Sequence, residues 1–221
     1  MKKILYFLLN TSLIKTFRFN LKYFGIKGFK PKIYISRNVK FGKLKGNIII
    51  QSNIHKCHIG YSTNYIYEKT SLNTSFYNEG TIIIRGNLCI SKGCSIVCKK
   101  NGILEFGDNV HISQKTQIEG HKSISLGDNV VISWDCLIID SDTHPIYVNN
   151  RLINENKEII LREGCWICAR CTVLKGTVVG KGSILAASSV ITKKIDCENV
   201  VIVNNEIVKK NIAIDMEKDI L

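Results

Sequence analysis

The sequence predicts an all-β chain wound as a three-sided coil of short parallel strands, preceded by an amphipathic helix and followed by a short tail. Three observations predict it. Leu161, Ile167, Val173, Val179, Leu185 and Ile191 stand six residues apart without a slip. Four positions after each of the first five come Cys165, Cys171, Thr177, Ser183 and Ser189, so each unit holds one large aliphatic residue and one small residue. Further back, Phe-Gly-Asp-Asn-Val-His-Ile-Ser at 106–113 returns as Leu-Gly-Asp-Asn-Val-Val-Ile-Ser at 126–133, an internal repeat at twenty residues.

An amphipathic helix would space its apolar residues three and four apart, and a half-buried strand would alternate in twos. Six is a multiple of two, so a short strand ending in a tight corner satisfies the period. Three such units close a circuit of eighteen residues, with the aliphatic side chains pointing inward onto those of the next circuit. The small residues fall where the chain turns and space is short. A twenty-residue repeat is the same circuit with a two-residue bulge. Gly-Asp-Asn suits its corner, because Gly and Asn tolerate positive φ and Asp can bond nearby backbone.

With 221 residues, 45% of them hydrophobic, the chain can bury one sizeable core, and a disordered class is excluded. Charge is distributed unevenly. Residues 1–67 hold eleven Lys and two Arg with no Asp or Glu, so the whole formal charge of +13 lies there, while residues 68–221 balance.

In order, residues 1–30 form a basic segment in which Ile4, Leu5, Leu8, Leu9, Leu13, Ile14 and Phe17 suit a helix with one apolar face. The run from Ile4 to Leu9 is too short to span a bilayer. Asn10, Thr11 and Ser12 break it with no small-residue cleavage site after them, which argues against a signal peptide. Two compatible roles are expected: packing on the first coil to cover its open end, and contact of residues 1–32 with an anionic membrane. For the second, Phe17, Phe19, Tyr23, Phe24 and Phe29 interleave with Lys15, Arg18, Lys22, Lys27 and Lys30. No nucleic-acid motif accompanies these cations, so nucleic acid is not an expected partner.

Residues 31–203 carry the coil. Its frame is blurred around Ile33, Ile35, Ile48–Ile50, Ile54 and Ile59, then legible at Ile84, Ile90 and Ile96, at Phe106, Ile112 and Ile118, and at Leu126, Ile132 and Ile138. It lapses over residues 139–160. That excursion holds Asp-Ser-Asp-Thr-His-Pro at 140–145, and a long polar departure from a regular scaffold is where function tends to lie. Residues 204–221, with Ile207, Val208, Ile212 and Ile214 among charges, are expected to fold back as a strand and a short helix.

Cys165, Cys168 and Cys171 have a spacing that could bind zinc. The six-residue frame opposes this by turning Cys165 and Cys171 inward at different corners and leaving Cys168 on another part of the wall. Cys94 and Cys136 occupy the same small-residue slot in earlier circuits. Buried, reduced thiols are therefore expected, with no metal and a cytoplasmic location.

Gly-Cys-Trp-Ile-Cys-Ala at 164–169, Lys-Gly-Thr-Val-Val-Gly-Lys-Gly-Ser at 175–183 and Ser-Val-Ile-Thr-Lys at 189–193 resemble the hexapeptide-repeat acyltransferases. The resemblance covers at least residues 84–203, with Cys168 standing where those families usually have Gly. It implies a left-handed parallel β-helix; handedness comes from the resemblance alone, because crossovers between parallel strands are otherwise nearly always right-handed. It also implies acetyl-CoA as co-substrate and a homotrimer. The layout resembles the capsule and lipopolysaccharide O-acetyltransferases, which implies transfer to a sugar hydroxyl of a surface polysaccharide or a lipid-linked glycan precursor. Two other readings stand beside it: an acetyltransferase for a small soluble acceptor such as serine, a free galactoside or maltoside, or an antibiotic, and a non-catalytic scaffold. The scaffold has no need of the Asp-Ser-Asp-Thr-His loop.

Transfer from a thioester to a hydroxyl needs a base, and a neutral imidazole is well matched to that task near pH 7. His144 in the excursion is the candidate, with Asp142 or Asp140 expected to accept from its other ring nitrogen; the resemblance makes the same assignment of the base. Trp166 should point outward by the frame, and by resemblance it lines the acyl-CoA groove. Trp134 is also outward by the frame, close to the His144 loop in the preceding coil, and is expected to form part of an acceptor platform for a sugar ring. Lys175, Lys181, Lys193 and Lys194 are candidates for the phosphates of the co-substrate. His55, His58, His111 and His121 are expected to be structural or solvated.

Overall fold

The computed structural model describes residues 7–51, 57–61 and 71–214. Ile4, Leu5, Ile54, His55 and the tail beyond residue 214 lie outside the described residues.

Apart from a small ribbon in the excursion, strands fall into three sheets, here A, B and C, and each parallel strand pairs with the next one the chain lays down in the same sheet. The chain visits the sheets in rotation. Trp166–Ile167 lies in sheet A, Thr172–Leu174 in sheet B, Val178–Val179 in sheet C, and Ile184–Leu185 returns to sheet A. Mostly parallel sheets with few helices are the arrangement of a β-helix.

The six-residue frame is visible in the pairing. Leu161 lies opposite Val179, Ile167 opposite Leu185 and Val173 opposite Ile191, each pair one eighteen-residue circuit apart. In the preceding circuits Ile112 pairs with Ile132 and Ile118 with Ile138, at the twenty-residue spacing. None of the six aliphatic residues or the five small residues of the 161–191 run is more than 1% exposed. Burial of each large side chain contributes on the order of 1.5 to 3 kcal/mol.

The Gly-Asp-Asn corners behave as their residue types require. Asn109 and Asn129 sit at φ 55° and 56°, in the left-handed region that Asn tolerates. The Asp128 carboxylate accepts the Asp108 N–H at 2.7 Å and that of Asp108 accepts the Asn87 N–H at 2.6 Å. Each corner is thereby bonded to its neighbour in the stack.

The helix Leu13–Phe24 is present, begun by Ser12, whose side chain accepts the Lys15 N–H. Its apolar face, with Leu8, Leu9, Leu13, Ile14 and Phe17, is exposed, while Thr16, Phe19 and Asn20 are buried. The reason lies in the edge it covers. Among the described residues no strand precedes Ile33–Ile35 in sheet A, and beyond an antiparallel bridge between Thr11 and Ser36 that edge is left to the helix. Thr16 Oγ1 accepts the Ile35 N–H at 3.0 Å, Asn20 Oδ1 accepts the N–H groups of Lys32 and Ile33 at 2.9 and 3.1 Å, and Asn20 Nδ2 donates to the Ile33 carbonyl at 2.6 Å. Polar side chains thus stand in for a missing strand, as unpaired buried backbone demands. Phe19 fills the end of the core, its ring 5.4 Å from Phe41 and 5.5 Å from Phe76.

Asn20→Ala should lower stability by about 2 to 3 kcal/mol, because it leaves buried backbone donors and an acceptor unserved. Urea unfolding measures this, and an unchanged midpoint would mean that water serves the edge equally well.

At the other end, Val201–Val203 turns back through Asn204 and Asn205, both at positive φ, into Glu206–Lys209, which pairs antiparallel with it and covers the last edge of sheet A. The expected returning strand is there. No helix follows among the described residues 204–214, and Val208 is exposed while Ile207 packs on the core.

Candidate active site

The excursion leaves sheet B after Leu137–Ile139 and rejoins sheet C at Ile159–Leu161, so it projects from the corner between those sheets. Asp140 anchors it. This side chain is 0% exposed, and its carboxylate accepts the backbone N–H groups of His121, Lys122 and Ser123 at 2.7, 2.8 and 2.7 Å. Those donors form the same corner one circuit earlier. The Asp140 carbonyl also accepts the Lys157 N–H from the returning arm. Asp140 is therefore a fastener for the loop, and the expectation that it supports the His144 ring is corrected: three backbone donors occupy it.

Beyond the anchor, Ser141 Oγ accepts the Thr143 N–H at 2.9 Å and the Asp142 carbonyl accepts the His144 N–H at 2.7 Å. This closes a three-residue turn around Thr143, whose φ is 65°. A β-branched residue in the left-handed region costs on the order of 1 to 3 kcal/mol, and such strain clusters at functional sites.

Asn154 braces the turn from the other arm, its Oδ1 accepting the Ile146 N–H and its Nδ2 donating to the His144 carbonyl at 2.8 Å and to Asp142 Oδ2 at 3.0 Å. Lys175 comes from the equivalent corner of the next circuit and donates to Asp142 Oδ2 at 2.5 Å and to the Asn154 carbonyl at 2.9 Å. These bonds from Lys175 and Asn154 hold the Asp142 carboxyl below the usual carboxylate range. The tether is complete above that range and is lost only as pH falls through the lowered value. Between the arms, Tyr147–Val148 and Arg151–Leu152 form an antiparallel ribbon turned at Asn149 and Asn150, both at positive φ.

The result is a cleft of about 460 Å³ over which the exposed His144 stands, with Ser141, Asn154, Glu155 and Asn156 in its lining. The imidazole of His144 makes no hydrogen bond to Asp140 or Asp142, which are committed elsewhere. His121 lines the same cleft, its Nε2 2.9 Å from Glu119 Oε1, a carboxylate that Lys99 also meets at 3.2 Å. The sequence reading expected His121 to be structural or solvated. Its signal was available, because the twenty-residue repeat superposes His121 on Ser141, the residue after the anchor.

The remaining candidates spread over the coil. Trp166 is on sheet A, partly exposed at 36%, and its Nε1 donates to Ser133 Oγ at 3.1 Å. Trp134 is at the corner between sheets A and B and is half-buried. Neither lines the cleft, so the placement of Trp134 beside the His144 loop is corrected: the two leave the coil at different corners. Lys193 shares the corner of the excursion, Lys194 opens the adjoining strand of sheet C, and both are exposed. Lys181 lies at another corner, paired with Glu163 at 2.9 Å. Lys175 and Lys181, expected to face phosphates, are thus occupied by carboxylates of the chain itself.

Cys94, Cys136, Cys165 and Cys171 are buried as the frame requires, and Cys168 is half-buried. Burial pushes the Cys165 thiol up to about 12 and the Cys168 thiol up to about 11, which disfavours the thiolate a metal would need. Among the described residues no group of His, Cys, Asp and Glu is arranged to hold a metal ion.

No protein-family model matches the chain. It is 30% identical over 137 residues to a putative acetyltransferase of Staphylococcus aureus strain COL, a match covering 52% of this chain and 68% of that protein. It is 26% identical over 145 residues to the putative lipopolysaccharide biosynthesis O-acetyl transferase WbbJ of Escherichia coli K12, covering 60% of this chain and 74% of that one. A galactoside O-acetyltransferase of Lactococcus lactis is 30% identical over 100 residues, and there the match spans 47% of the relative's length. Among solved structures, the polysialic-acid-specific acetyltransferase NeuO superposes with a TM-score of 0.53 at 22% identity, over 83% of this chain and 75% of that one. A mutant of the Bacillus cereus N-acyltransferase AntD, in complex with dTDP and coenzyme A, gives 0.52 at 16% identity, over 82% and 81%. At such identities the structural likeness speaks for the fold.

Proposed function

The chain belongs to the hexapeptide-repeat acyltransferases, and from that premise we propose that it transfers acetyl from acetyl-CoA to a sugar hydroxyl of a surface polysaccharide or a lipid-linked glycan precursor. The observation that carries this reading is His144, exposed over a polar cleft on a loop that Asp140, Asn154 and Lys175 brace. The relative named for lipopolysaccharide biosynthesis supports the acceptor class.

His144 takes the proton of the acceptor hydroxyl as its oxygen bonds to the thioester carbonyl carbon, and the carbon–sulfur bond then breaks to release coenzyme A, whose sulfur receives the proton. Asp142 contributes by holding the turn that aims His144. Lys193 and Lys194 are the exposed cations left for the phosphates of coenzyme A, and Trp166 walls its groove. The coil is left-handed in this proposal, as in the family.

Within one chain the imidazole and the indole of Trp166 lie on different parts of the coil, so a groove holding both needs a second copy. The exposed apolar ribbon residues Ile146, Tyr147, Val148, Leu152 and Ile153 offer it a contact. A homotrimer, with His144 of one copy serving a groove walled by the next, meets both needs. A monomer by light scattering that transfers acetyl at full rate would overturn this assembly.

The function is tested by thiol release from acetyl-CoA with a panel of acceptors, wild type against His144→Ala. Transfer to a glycan or its lipid-linked precursor is expected; transfer only to serine, free galactoside or an antibiotic would replace the acceptor class, and release with no acceptor in the panel would favour the scaffold reading.

A further inference from the structure

The N-terminal helix presents two unlike faces. Thr16, Phe19 and Asn20 face the coil, and Leu13, Ile14 and Phe17 face outward at 65%, 72% and 38% exposure. The exposed apolar run continues at Ile26 and Phe29, at 85% and 64%, in the turn of helix Gly25–Phe29. Beside the outward face is a groove of about 520 Å³, lined by Ile14, Phe19, Phe41 and Leu44 together with Lys15, Arg18 and Lys22. An apolar groove with cations in its lining fits an acyl chain and an anionic headgroup. Every charged side chain of residues 1–67 is basic, thirteen in all.

We propose that this helix face and groove dock on an anionic phospholipid bilayer. Charge selects that occupant. A second copy of the same face would bring two such cationic segments within a Debye length of each other and repel. Nucleic acid would meet the cations but leave Leu13, Ile14 and Ile26 uncovered. An anionic bilayer satisfies both, with cations at the headgroup level and aliphatic side chains below it. No helix among the described residues is long and apolar enough to cross a membrane, and docking of this kind is peripheral. It stands apart from the proposed reaction, whose cleft lies on the excursion at the other half of the coil's length in sequence.

The test is flotation of the full chain with vesicles of phosphatidylcholine, with and without phosphatidylglycerol. Binding is expected only with phosphatidylglycerol, weakening as salt rises. Ile14→Ser with Phe17→Ser, and separately Arg18→Glu with Lys22→Glu, should each reduce binding by at least about tenfold, with unchanged circular dichroism and unchanged thiol release in the reaction assay. Absence of flotation with phosphatidylglycerol, or equal flotation with phosphatidylcholine alone, would overturn the proposal. So would an assembly that the serine variants split into smaller species while vesicle binding stays as in wild type, since the face would then belong to another copy.

Discussion

Turnover of His144→Ala should fall at least about a hundredfold, the ordinary scale for removing a general base. The loss should appear in kcat with KM little changed, because the side chain acts on the proton in flight and its ring makes no bond that shapes the cleft. The loop itself should persist: the bonds that set it use the His144 backbone, whose N–H reaches the Asp142 carbonyl and whose carbonyl accepts from Asn154. Alanine keeps both. Single-turnover measurement of thiol release separates the chemical step from product release, and a rate equal to wild type would eliminate His144. In that event His121, which also lines the cleft and is paired with Glu119, becomes the residue to substitute.

Asp140→Ala should destabilise the fold by about 3 to 5 kcal/mol, since three backbone N–H groups lose their one shared acceptor and each unserved donor costs about 1 to 3 kcal/mol. For a chain of this size that lowers the melting midpoint by roughly ten degrees. Asp140→Asn keeps one acceptor oxygen and should cost less. Activity should fall in both variants through loss of the loop's foothold, and the conservative variant should recover more of it. A melting curve for Asp140→Ala matching wild type would show that the excursion holds its shape without this anchor.

The coil was legible because its cause is local and repeated. A six-residue unit leaves its period in the sequence, and every aliphatic position of the 161–191 run is buried where that period placed it. The excursion was legible as a lapse in the period, and His144 as its one imidazole. The partners of His144 were not. Asp140 and Asp142 have the same side chain two residues apart, yet Asp140 is turned inward to the preceding circuit while Asp142 meets Lys175 from the following one. Nothing within the hexapeptide states which carboxylate is turned which way. The place of His121 in the cleft lining was hidden for the same reason, being set by stacking.

The N-terminal helix gives the sharpest contrast. Its apolar stripe is plain in the sequence, yet the stripe looks outward, because the first strand edge that the helix covers is met by the hydrogen bonds of Thr16 and Asn20. The repeat, the rotation through three sheets, the buried aliphatic column and the position of the loop could all be read from the residues, because they follow from the period of a chain stacking on itself. Folding settled which carboxylate fastens the loop and which meets Lys175, that the two tryptophans stand outside the cleft lining, and which face of the helix looks out. Those outcomes depend on what each residue meets in the circuits above and below it, at separations that no local pattern encodes.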